Sequence, residues 1–131
     1  MNYLGILVAA LAAYGFGAVW YMMLAPHWVQ AAEIKTDTNG QPLNKGAPLP
    51  YVIAFVSCLL VAGMMRFLFT EIGVSGWDEG LIGGLSIGLF LSAPWLTTCY
   101  AFAGRPIALT LIDGGYAVGG SILAGIVLTL L

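Results

Sequence analysis

Phe102-Ala-Gly-Arg-Pro-Ile-Ala-Leu-Thr-Leu-Ile-Asp-Gly-Gly-Tyr116 places a turn, a cation and a carboxylate at the head of the last apolar segment of the chain. Gly104-Arg105-Pro106 reads as a turn into a helix, because proline suits the first helical position and pushes the residue before it out of helical geometry. That puts Arg105 at a membrane face. Asp113 follows two turns later, so at 1.5 Å rise per residue it lies roughly 10 Å below that face. A charge at that depth is costly unless it finds a partner or loses its proton, which makes Asp113 the sharpest functional lead in the sequence.

The segments on either side explain why a membrane is the frame of reference. Of 131 residues, 60% are hydrophobic and only 8% charged, and the mean hydropathy is +0.95. Too little polar surface remains to cover a water-soluble globule. Apolar runs long enough to cross bilayer hydrocarbon fall at about 2–24, 50–70, 78–102 and 106–131. The expected fold is therefore an all-α membrane protein. Its four transmembrane helices form one transmembrane domain over 1–131, with a polar loop at 25–49. Pro26 starts a short interfacial helix in that loop, running through His27, Trp28 and Glu33, before Asp37-Thr-Asn-Gly40 turns the chain. The first run lacks a basic leader and is longer than the apolar core of a signal peptide, so it is read as a retained helix in a bacterial inner membrane.

A net charge of −2 without a basic block gives no footprint for nucleic acid and no polybasic lipid-binding tail. The partners expected are the lipid bilayer and other membrane protein chains. With His27 the one histidine, a metal site would need scattered carboxylates, so neither a metal nor a cofactor is expected. Cys58 and Cys99 lie inside apolar spans and read as packing residues. Ser75 reads as the N-cap of the third span, with Glu71, Asp78 and Glu79 as cap and rim.

Small residues recur every four positions. Gly5, Ala9, Ala13 and Gly17 share one face of the first span, and Ala54, Cys58 and Ala62 lead to Arg66 in the second. Gly80, Gly84, Gly88 and Ser92 make consecutive G-x-x-x-G units in the third. The last span has Gly115 with Gly119 on one face and Ala117, Ser121 and Gly125 on another. Such faces let backbones approach closely, and two of them on one helix mark it as the centre of the bundle. Trp20-Tyr21 reads as an aromatic belt at the headgroups. Arg66, about one turn from its exit, is expected to snorkel to water. Pro94 is expected to kink the third span and free the carbonyl of Phe90. A protonated Asp113 could then donate to that carbonyl, with Thr97, Thr98 and Tyr100 in the adjoining layer, as a staple between the third and fourth spans.

The opening Asn2-Tyr-Leu-Gly-Ile-Leu-Val-Ala-Ala, the Trp20-Tyr21 pair, Phe102-Ala-Gly-Arg-Pro and Leu111-Ile-Asp-Gly-Gly-Tyr116 resemble a family of small bacterial four-helix membrane proteins catalogued as a domain of unknown function. The resemblance spans almost the whole chain and implies a four-helix bundle with no inherited catalytic residue. Its pattern has a Gly-Lys step where this chain has Met22-Met-Leu-Ala-Pro-His27, and Asn is expected to be common at the position of Asp113. If an amide serves there, hydrogen bonding rather than proton transfer is the shared role.

Three functional readings follow, in this order. The chain is a non-catalytic accessory bundle of a larger membrane complex; or a homo-oligomeric channel or small-solute transporter lined by Asp113, Pro94, Thr97 and Thr98; or a membrane enzyme, for which the spans offer no nucleophile–base pair. Tyr116 and Arg66 complete the set of candidate polar residues. Lys35, Lys45 and Arg105 fall on the face of the long loop, against Arg66 on the other, so the positive-inside rule puts that loop in the cytoplasm and both termini outside. In a cysteine-free background, Thr38→Cys is expected to resist impermeant thiol reagents in intact cells and to react once the membrane is opened. Labelling in intact cells would reverse the orientation.

Overall fold

The computed structural model describes residues 3–40, 42–43 and 46–131; Asn2, where the first helix was placed to begin, and Lys45, counted for orientation, lie outside them. The described residues form α1 (Tyr3–Met23), α2 (Ala25–Ala32), α3 (Pro48–Ile72), α4 (Trp77–Ile87), a π-helical turn (Gly88–Ser92), α5 (Ala93–Phe102) and α6 (Ile107–Leu130). α4, the π turn and α5 run on as one span, so four helices are long and apolar enough to cross a membrane. The protein is an all-α membrane bundle.

The ends of these helices follow from local chemistry, with some shifts from the sequence reading. Proline at the start of α3 costs no hydrogen bond, because the first-turn amides have no helical acceptor. α3 stops at Gly73, whose φ of 85° is left-handed; the amides of Gly73 and Val74 both reach the Phe69 carbonyl at 2.9 Å. Gly76, not Ser75, is the N-cap of α4, and the Glu79 carboxylate reaches back to accept the Ser75 amide at 2.7 Å. Asp78 and Glu79 remain in the first turn, where the helix dipole favours them. Pro106 sits one residue ahead of the first helical position, as an extended N-cap whose carbonyl takes the first helical bonds. In the loop, Asn39 donates its amide to Asp37 Oδ1 at 2.8 Å and Gly40 takes φ 79°, closing a turn held by a single antiparallel bridge from Thr36 to Pro42.

α6 lies between α1 and the third span, antiparallel to both, and α3 packs mainly on α1. Within its most apolar stretch α6 is 39% buried, against 17–22% for the other spans, which makes it the centre of the bundle. Its two neighbours use small residues differently. On the third span, a methyl group added at Gly80, Gly84 or Gly88 would strike α6 backbone at Gly125, Ser121 and Val118 in turn, so here two backbones touch. Toward α1 the glycines instead make room for rings. Gly115 receives Trp20, Gly119 receives Phe16, and Gly17 receives Tyr116. Gly115 and Gly119 are therefore sockets rather than the backbone seam their spacing suggested.

The interior is built of small side chains and the lipid face of large ones. Ala9, Ala10, Ala13, Cys58, Ala62, Met65, Phe69, Ala124 and Leu128 form the core, with Gly5 and Gly17 also buried on α1. Trp95, Phe90 and Phe102 point outward, Phe102 being 91% exposed. Cys99 is also exposed, so it packs against lipid and not against a neighbouring helix. Lipid tails solvate leucine as well as protein does, so large residues gain little by turning inward, and small ones are needed wherever helices must approach.

This geometry separates two glycines with the same helical backbone. Gly84→Ala should lower the stability of the purified protein by about 2 kcal/mol or more, the usual cost of overpacking against an immovable backbone. Gly63, with nothing within 4 Å of an added methyl, should gain roughly 0.5–1 kcal/mol as Ala. Unfolding in mixed micelles measures both, and equal effects at the two positions would mean that α4 and α6 are not in backbone contact.

Candidate functional site

The stretch from Tyr100 to Asp113 builds a polar cluster at the loop end of the bundle. α5 ends in a Schellman motif: the Arg105 amide returns to the Tyr100 carbonyl at 2.9 Å and the Gly104 amide to the Ala101 carbonyl at 3.2 Å, with Gly104 at φ 71°. A side chain at Gly104 would have to adopt a left-handed conformation, so glycine is required by the turn itself. The motif reverses the chain within a few residues. It leaves the Tyr100 phenol beside the first turns of α6 and sends the Arg105 side chain sideways along the membrane face.

Asp113 is half-buried, and each carboxylate oxygen accepts a phenol hydroxyl. Tyr21 at the end of α1 donates to Oδ1 at 2.5 Å, and Tyr100 of α5 donates to Oδ2 at 2.5 Å. Lengths of this order belong to hydroxyl–carboxylate bonds, the strong class of hydrogen bond. One side chain of α6 thereby ties together three helices. The adjacent Trp20 indole adds a bond across the same joint, donating Nε1–H to the Ile112 carbonyl at 2.8 Å. Around it, Tyr21 meets Trp28 and Tyr116 edge-on at ring-centre distances of 5.8 and 5.5 Å.

α2 covers this cluster. Ala31 and Ala32 bury against Leu109 and Ile112, with Trp28 and Ile34 beside them. Glu33 ends the helix at φ 55°, and Arg105 donates Nη2–H to the Ala32 carbonyl at 2.7 Å. A cation on the last turn of a helix satisfies an orphan carbonyl and opposes the dipole, each a favourable effect of about 1 kcal/mol. Arg66 makes the corresponding contact at the opposite end of the bundle. It donates to the Leu128 carbonyl near the end of α6 at 2.7 Å, so it turns inward to a helix terminus instead of snorkelling past Phe67. A further polar contact lies deeper, where Tyr116 Oη and Cys58 Sγ are 3.5 Å apart.

Several residues grouped by sequence depth do not meet. Pro94, Thr97 and Thr98 are exposed on the lipid side, and both threonines return their hydroxyls to their own helix, Thr97 to the Ala93 carbonyl at 2.7 Å and Thr98 to the Pro94 carbonyl at 3.1 Å. The span absorbs Pro94 by widening into the π turn just before it, with the Ala93 amide bonded to the Gly88 carbonyl. Asp113 is thus an acceptor from two tyrosines and not a donor to Phe90. Of the two partners, Tyr100 belongs to the layer the spacing placed beside Asp113, whereas Tyr21, read as part of an aromatic belt, is the partner that spacing missed. The signal available was reach: a phenol oxygen stands about 6.5 Å from its Cα, far enough to cross to the next helix, whereas a threonine hydroxyl bonds its own preceding turn. Among the described residues no group of three or more His, Cys, Asp or Glu side chains is placed to hold a metal ion.

The staple can be tested by unfolding. Asp113→Leu strands two hydroxyls and should cost about 2–3 kcal/mol, whereas Asp113→Asn keeps an acceptor and a donor between them and should cost about 1 kcal/mol or less. Tyr21→Phe and Tyr100→Phe should each destabilise the wild type and add little to Asp113→Leu, because they remove the same bonds. Full additivity would show that the three side chains act separately.

Comparison with known proteins adds one result. No curated protein and no solved structure matches this chain. A family model described as "Protein of unknown function (DUF1761)" matches residues 4–129, a range that covers the four spans except their outermost residues Tyr3 and Leu130, the α2 cover and the Asp113 cluster. With nearly every residue inside that match, the chain belongs to the DUF1761 family.

Proposed function

We propose that this protein is a non-catalytic helical bundle that serves as a small accessory subunit, packing into a larger protein complex of a bacterial inner membrane. The observation that carries the reading is the use made of its polar groups. Asp113 is satisfied by Tyr21 and Tyr100, Arg105 closes α2, and Arg66 contacts the end of α6. Each of these three side chains serves a joint between helices. A second feature supports the assembly half of the proposal. α5 has no fully buried residue, and its face bearing Trp95, Thr98 and Phe102 is exposed, so that face is available for contact with another chain, and the G-x-x-x-G units on α4 are already consumed inside the bundle.

The rival reading is a homo-oligomeric channel or transporter working through Asp113. An intramembrane carboxylate with hydroxyls on both sides favours it, since such groups commonly mark ion paths. The outward-turned Thr97 and Thr98 remove part of the lining it would use.

Solubilisation from native membranes, followed by native mass measurement, separates the two. The accessory reading expects unrelated membrane chains at fixed stoichiometry with this one. A symmetric homo-oligomer alone favours the channel, and a lone monomer would sink both forms of assembly. Asp113→Asn gives an independent check: the accessory reading expects a folded variant that still joins its complex, whereas the transport reading expects a folded variant that has lost flux.

A further inference from the structure

Between α3 and the third span the bundle is open. The two touch only near the end of α3, where Phe69 packs onto Gly83, and they diverge from there. The gap has two connected parts. The inner part is a cavity of about 150 Å³ whose polar lining is Ser57, Cys58, Ser92, Tyr116 and Ser121. The outer part is an apolar groove of about 340 Å³ between Met64, Leu68, Ile87, Leu91 and Trp95. Val61 and Ser92 line both, so the groove leads from the lipid into the cavity.

Ser121 shows that the inner part is built for a polar group. Thr70, Ser86, Thr97, Thr98 and Thr129 each return a bond to a carbonyl of their own preceding turn, whereas Ser57 and Ser92, which line the same cavity, and Thr110 return none. Ser121 makes no such bond. Its hydroxyl has no hydrogen-bond partner among the described residues, although the residue is only 6% exposed and lines the cavity. The Ser121 oxygen opens on the cavity, and in apolar surroundings a hydroxyl gains free energy from a ligand that supplies a hydrogen-bond partner.

Depth, charge and size narrow the ligand. Ser57, Ser92 and Ser121 stand near the middle of their spans, where a phosphate or ammonium headgroup does not reach without great cost. No charged side chain lines either part, and the polar groups present are hydroxyl and thiol donors. A cavity of about 150 Å³ holds one benzene-sized ring, and the groove outside it is apolar along its length. From these features we infer that the cleft binds a single-ring isoprenoid quinone from the bilayer, its ring in the inner cavity with a carbonyl oxygen accepting from Ser121, and its chain along the Met64–Trp95 groove. This site is independent of the assembly proposed above, since all its walls come from one chain.

The test uses the full chain in phosphatidylcholine nanodiscs with radiolabelled decylubiquinone, subtracting uptake by protein-free discs. Saturable binding at one per chain is expected, weakened about tenfold in Ser121→Ala, the usual worth of one buried hydrogen bond. Ser92→Phe, which fills the throat shared by both parts, should abolish it, while Gly63→Ala should bind as wild type. If Ser92→Phe does not fold, Ser121→Ala decides alone, because it removes only an unpartnered oxygen. Uptake no greater than in protein-free discs overturns the proposal, as does wild-type affinity in Ser121→Ala. Displacement by dioleoylglycerol as effective as by unlabelled decylubiquinone would make the cleft a general lipid groove and overturn the quinone assignment.

Discussion

A helix surrounded by lipid gains nothing by hiding a leucine, so this bundle is held by how closely its backbones can approach α6. The contact of Gly80, Gly84 and Gly88 with the α6 backbone is the constraint that the rest depends on. It fixes the distance and register of the third span against α6, which brings Ser92 beside Ser121 and Tyr100 beside Asp113. Ring-in-socket packing sets the other side of α6, where Gly115 and Gly119 hold Trp20 and Phe16 in place. Tyr21 comes next on α1 after Trp20, so that packing also delivers the second phenol to Asp113.

The two ends of the molecule follow from the same scarcity of polar partners. In hydrocarbon, an unsatisfied carbonyl or carboxylate has no water to turn to, so the chain supplies partners of its own at both ends. Arg105 and Arg66 contact helix termini at opposite ends, and Asp113 takes two phenols instead of a counter-ion. The loop helix α2 is drawn into this arrangement through the Ala32 carbonyl and the buried faces of Ala31 and Ala32. It forms a lid on the carboxylate cluster, so the long loop belongs to the bundle.

The weakness of the α3 contacts has the opposite effect. α3 joins α1 along Cys58 and Ala62, with Tyr14 and Phe55 edge-on at 5.8 Å, but leaves the third span along most of its length. The π turn adds an extra residue per turn where the span passes this gap, and Ser92 at its end faces both parts of the cleft. π turns of this kind are frequent at functional sites. Here the same element relieves Pro94 and forms one wall of the cavity.

Composition and periodicity by themselves determined the class of the protein, the number of its spans, the central place of α6 and the importance of the Phe102–Tyr116 stretch. These depend on the thickness of the bilayer and on which faces are small, both of which are counted along one helix. What only the tertiary structure decided was which side chains meet across helices. Pro94, Thr97 and Thr98 share a depth with Asp113 in sequence, but rotation about the α5 axis turns them to the lipid and brings Tyr100 inward. Helix rotation likewise directs Arg66 of α3 to Leu128. It also separates glycines that touch backbone from those that hold a ring, because spacing defines a face without naming what lies opposite it.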